Sequence, residues 1–206
     1  MGKEEAKCFV ENWFQIFVES VTNLTAKKQA RLIHRSILRR YDRSECCATA
    51  GIVVGLMILF LSWLVPYGLW WTNLIRIALS TFALWWAMGA FFYPLKVVLV
   101  DIPTGSELKS PRRSIILLFF NYIEITIHFA SVYLLSLSIG YSGCLNPITS
   151  PLVSVYFSIV TITTLGYGDI HPISWIGSAL VSIEVLVGIA LIVTALARFI
   201  SELKTK

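Results

Sequence analysis

Thr163-Thr164-Leu165-Gly166-Tyr167-Gly168-Asp169 is the stretch on which the reading of this chain turns. Two glycines flank one tyrosine, so successive residues are free to take backbone conformations that a Cβ resists, and such a strand can turn consecutive carbonyl oxygens to one side. Directly before it lies an apolar run, residues 151–163, of 13 residues. That is too short to cross a bilayer core of ~30 Å and marks a re-entrant helix. Ser150 is the expected cap of this helix, and Pro151 sits in its first turn.

The surroundings of this stretch are those of a membrane protein. Of 206 residues, 56% are hydrophobic and 14% charged, against roughly a quarter charged in an ordinary soluble domain. With a mean hydropathy of +0.74, a disordered chain or a large soluble domain is excluded. Residues 46–66, 74–95, 114–139 and 173–197 each supply the ~20 apolar residues that a membrane-crossing helix needs. After His128 no Asp, Glu, Lys, Arg or His occurs until Asp169, a 40-residue stretch too long for one span. Gly140, Gly143, Pro147 and Pro151 punctuate it, so the chain must fold back there. The expected fold is all-α and integral to the membrane, with four transmembrane helices and a re-entrant helix and loop.

The Lys/Arg distribution sets the expected orientation. Nine basic residues fall in 1–45, four in 96–113 and three in the last nine residues, leaving Arg76 alone on the other side. Both termini are therefore expected in the cytoplasm. The chain then divides into a basic segment (1–45), two additional helices (46–100), a cytoplasmic linker (101–113), a pore domain (114–200) and a short tail (201–206). In the first segment Phe9, Trp13, Ile16, Phe17 and Leu24 recur at near-helical spacing before the basic run 27–43, which suits an amphipathic helix on anionic lipid. The net charge of +5 is spread along these flanks, and no nucleic-acid partner is expected. Cys8, Cys46, Cys47 and Cys144 have neither zinc-site nor disulfide-framework spacing, and no cofactor is expected.

The run Tyr156-Phe157-Ser158-Ile159-Val160-Thr161-Ile162-Thr163-Thr164-Leu165-Gly166-Tyr167-Gly168-Asp169 resembles the pore helix and selectivity filter of potassium channels. Residues 183–188 and 197–199 also resemble the inner helix of bacterial inward rectifiers. The resemblance implies a homotetramer in which rings of backbone carbonyls replace the hydration shell of K+. On that footing Thr164, Leu165, Gly166 and Tyr167 would bind the permeant K+, and Gly168 would form the outer mouth. Thr163, Asp169 and Tyr156 would support the filter, with Tyr156 hydrogen-bonded to Asp169. Leu165 departs from the family's usual Thr-Val-Gly-Tyr-Gly by one apolar substitution whose side chain packs away from the ion path. Gly188, 20 residues after Gly168, would be a hinge or a packing glycine, and Ile189, Ile192 and Leu196 would line the cavity and gate.

Three ionisable groups lie in apolar segments. Glu124 and His128, four apart on one helix face, are expected to pair with each other. Glu184 is expected behind the filter, bonded to Thr161 or Thr163, in preference to facing the cavity. A voltage sensor needs several regularly spaced arginines, and the first two spans carry only Arg76. No cytoplasmic ligand domain is expected in the six residues after Ile200. The competing readings are a weakly selective cation channel, an intramembrane hydrolase using Glu124, His128 and Glu184, and a non-conducting regulatory or lipid-binding subunit. Against the hydrolase, the order is Glu-x-x-x-His and no G-x-S-x-G occurs.

Overall fold

The computed structural model describes residues 43–66, 70–96, 111–143 and 146–203. Most of the expected basic segment 1–45, most of the linker and the last three residues of the tail lie outside the described residues. In chain order the elements are α1 (Arg43–Leu64), α2 (Trp70–Lys96), α3 (Pro111–Ser136), β1 (Ile139–Tyr141), α4 (Pro151–Ile162), β2 (Ile170–Pro172) and α5 (Trp175–Leu203).

Helix α3 organises the rest, packing against α1, α2, α4 and α5. Its apolar stretch Ile115–Ser136 is 61% buried, whereas the corresponding stretches of α2 (Trp70–Phe92) and α5 (Trp175–Ala197) are each 33% buried. A helix covered on all sides by other helices must be apolar or self-satisfied all round, and α3 is. Phe129, Ala130, Val132, Tyr133 and Leu134 form a nearly continuous buried run in it. Three helices, these same stretches of α2, α3 and α5, are long and apolar enough to cross a membrane among the described residues. In α1 the apolar run is the shorter Thr49–Leu64, so the expected count of four is not met on this criterion.

Helix α3 stops at Ser136, three residues before the expected end, because Leu137 takes φ 51° and turns the chain out of the helix. Two short strands beyond that turn correct the all-α expectation. β1 and β2 pair antiparallel, with Ile139 opposite Pro172, Gly140 opposite His171 and Tyr141 opposite Ile170. Further backbone bonds extend this clasp, from Ser142 N–H to the Asp169 carbonyl (2.8 Å) and from Ile173 N–H to the Ser138 carbonyl (2.9 Å). The two ends of the re-entrant segment are thereby tied together beside the start of α5. There Gly177 approaches so closely that a Cβ would come 2.5 Å from the Ser138 carbonyl oxygen.

Candidate functional site

The site is built from α4 downward. Pro151 begins the helix as expected, but the Ser150 side chain makes no capping bond. Its carbonyl instead accepts from Ser154, through both the backbone N–H (3.1 Å) and the hydroxyl (3.2 Å). One face of α4, comprising Ser154, Phe157, Ser158 and Thr161, is buried, and Phe157 meets Tyr133 of α3 edge to face at 5.0 Å.

At the other end, the chain that leaves α4 turns its amides back onto the helix. Thr163 N–H donates to the Ile159 carbonyl (3.1 Å), Thr164 N–H to Thr161 (2.9 Å), and Leu165 N–H to Val160 (3.0 Å), with Gly166 N–H also on Val160 (3.4 Å). The last carbonyls of a helix have no partner within it, and here the adjoining loop supplies one. A trans peptide holds its N–H and C=O on opposite sides. With the amides of Thr164, Leu165 and Gly166 aimed at α4, the carbonyls of Thr163, Thr164 and Leu165 face the other way.

The backbone geometry continues the pattern. Thr164, Gly166 and Gly168 have φ of 59°, 57° and 78°, and the intervening Leu165 and Tyr167 do not have positive φ. Alternating the hand of successive residues lines peptide groups up with their N–H groups on one side, and hence their carbonyls on the other. Gly166 and Gly168 adopt this freely, whereas Thr164 holds a conformation that a β-branched residue rarely takes. Among the described residues, no backbone N–H bonds to the carbonyls of 163–168. A row of oxygens without protein donors is suited to a cation.

Side chains brace this loop from both sides. The Tyr156 hydroxyl donates to Asp169 Oδ2 at 2.8 Å. Thr163 Oγ1 donates back to the Ile159 carbonyl at 2.6 Å. Leu165 (58% exposed) and Tyr167 (68%) project from the single chain. Ile189, Ile192 and Leu196 lie along an exposed part of α5. Gly188 is a point of close packing within an unbroken helix, since a Cβ there would come 2.7 Å from both Cγ1 and the carbonyl oxygen of Ile162.

The intramembrane ionisable groups differ from expectation. Glu124 and His128 do not bond to each other, and Glu124 is instead held from another helix. Trp86 of α2 donates its indole N–H to Glu124 Oε1 at 2.8 Å. The His128 ring stacks against Trp86 with centroids 6.4 Å apart, and neither of its nitrogens makes a side-chain hydrogen bond of normal geometry. Glu184 is fully buried behind α4 as expected, but its partners are Ser158 of α4 and Tyr133 of α3 (hydroxyl to Oε2, 2.6 Å), not Thr161 or Thr163. Reading the sequence missed Tyr133, Ser158 and Trp86. The available signal was the i, i+4 pair Ser154 and Ser158, which gives α4 one polar stripe facing the other helices. Among the described residues, no group of three or more His, Cys, Asp or Glu could hold a metal ion.

Residues 116–205 match the family model described as "Ion channel". The chain has no significant match among curated proteins or among solved structures. The matched stretch takes in most of α3, the clasp, α4, the 163–169 loop and α5, and leaves out α1 and α2. Residues 116–205 are thus similar to ion-channel domains, whose role is not enzymatic, in a chain with three helices long and apolar enough to cross a membrane among the described residues.

Proposed function

We propose that this protein is a potassium-selective channel that conducts K+ passively, as a homotetramer, through a filter made of the backbone carbonyls of Thr164, Leu165, Gly166 and Tyr167. The observation that carries this reading is the alternation of positive φ at Thr164, Gly166 and Gly168, with the amides of this loop already engaged by α4. One chain contributes one row of oxygens, and a ring that can replace a hydration shell needs a contribution from every side. Large apolar side chains left exposed on this half, Leu152 (83%) and Trp175 (80%) among them, favour further burial against neighbouring copies or lipid.

In this reading α4 directs its C-terminal dipole toward a cavity lined by Ile189, Ile192 and Leu196, favouring a cation as it sheds water. Tyr156 and Asp169 brace the filter's outer end. α1 is the fourth span. Its uncharged part, residues 46–64, rises about 28 Å, close to the thickness of the hydrocarbon core. Both termini lie in the cytoplasm, and residues 1–45 bind anionic lipid.

The test is K+ flux from proteoliposomes, for the wild type and Gly166→Ala, with the subunit count read by native mass spectrometry. Tetramers are expected in both, and K+-selective flux in the wild type alone. Monomers, or flux that ignores the substitution, would contradict the channel reading.

A further inference from the structure

Behind the 163–169 loop, three elements meet at one carboxyl group. Glu184 of α5, Ser158 of α4 and Tyr133 of α3 are all fully buried. Tyr133 donates its hydroxyl to Glu184 Oε2 at 2.6 Å. The Ser158 oxygen lies within hydrogen-bond reach of both Glu184 Oε1 and the carbonyl oxygen of Thr126 on α3, the latter at 2.8 Å.

Counting hydrogens decides what this cluster is. A serine hydroxyl has one hydrogen, and here it faces two oxygens. If Glu184 were a carboxylate, Ser158 could donate to only one of them and would press a lone pair against the other. If Glu184 carries a proton on Oε1, every contact is satisfied. Glu184 then donates to Ser158, Ser158 donates to the Thr126 carbonyl, and Tyr133 donates to Oε2. Among the described residues, no cationic side chain acts on Glu184. Tyr122, also on α3, is near enough to feel a charge on Glu184 but offers it no positive partner. An ionised form would therefore be a buried charge without a counter-ion, an arrangement proteins avoid.

We propose that Glu184 is a positioning residue that works as a neutral carboxylic acid, bridging α5 to α4 and α3 and thereby fixing the pore helix on which the filter is built. It neither touches the permeant ion nor supplies charge to the cavity. The inference rests on the channel reading for its effect on conduction, but the protonation state and the bridge stand on this geometry alone.

The experiment uses the full-length protein in lipid vesicles. A glutamine amide places an NH2 donor and a carbonyl acceptor where a protonated carboxyl has its hydroxyl and its carbonyl, so Glu184→Gln should retain wild-type K+ over Na+ discrimination. Glu184→Ala leaves Ser158 and Tyr133 without their shared partner and should lose discrimination by about tenfold or more. Infrared difference spectra between wild type and Glu184→Gln at neutral pH supply a readout independent of conduction. They should contain the carbonyl stretch of a protonated carboxylic acid, shifted in Tyr133→Phe. A carboxylate band in its place would overturn the proposal, as would a Glu184→Gln variant as impaired as Glu184→Ala. If the wild type failed to discriminate K+, the channel reading would fall, while the spectra would still decide the state of Glu184.

Discussion

The two sides of α3 solve the same packing problem differently. Toward the pore, α5 closes on α4 at Gly188, where the nearest atoms are the Ile162 side chain and its backbone carbonyl. Toward the additional helices, α1 approaches α3 at Gly51 and Gly55. A Cβ at Gly51 would fall 1.8 Å from Glu124 Oε1 and 2.7 Å from Trp86 Nε1, and one at Gly55 would meet Ile127 and the His128 ring. On the pore side a backbone carbonyl is among the nearest atoms, and it cannot turn away as a side chain can. On the other side a glycine meets the tips of side chains, which have other rotamers. The polar groups differ in the same sense. Tyr133, Ser158 and Glu184 form a closed set of bonds, whereas Glu124 and His128 meet mainly the Trp86 ring. The pore half is built for one geometry, and the additional helices are docked by a more adjustable contact.

Gly188→Ala should therefore be the more damaging glycine substitution, costing about 1–3 kcal/mol by overpacking and reducing K+ flux as the end of α4 is displaced. Thermal unfolding in detergent, read beside flux, checks both. Gly51→Ala should cost less, about 1 kcal/mol, because Glu124 can swing away at the expense of its bond from Trp86, with K+ selectivity retained. A larger loss at Gly51 than at Gly188 would break the comparison.

Trp86→Phe removes the same bond and should also cost about 1 kcal/mol. Because both changes act on one contact, the double variant should fall short of the sum, whereas Gly51→Ala combined with Tyr133→Phe should be additive. The smallest stability effect is expected from Tyr156→Phe. Its bond to Asp169 is exposed, so water replaces most of what is lost, and thermal unfolding should barely shift while the consequence is seen in the persistence of current.

The pore half was largely legible in the sequence because its signals are local. Pro151 placed the start of α4, the run without titratable residues showed that the chain folds back, and Gly166 and Gly168 marked positions of positive φ. What escaped depends on distant neighbours. β1 and β2, at three residues each, are too short for any periodicity to show. Glu124 and His128 share a helix face, but the indole of Trp86, 38 positions away from Glu124, takes the carboxyl group. Glu184 was placed behind the filter, yet its bonding partners depended on how α4 is rotated. Ser158 and Thr161 are one turn apart on the same face, and only the packing of α3 decides which of them meets the carboxyl group.

The central claim is selectivity by backbone carbonyls, and the reversal potential of the purified protein in a planar bilayer, with K+ on one side and Na+ on the other, tests it most directly. The account predicts a reversal close to the K+ equilibrium potential for the wild type and loss of that potential in Gly166→Ala. A wild-type reversal near zero would contradict it.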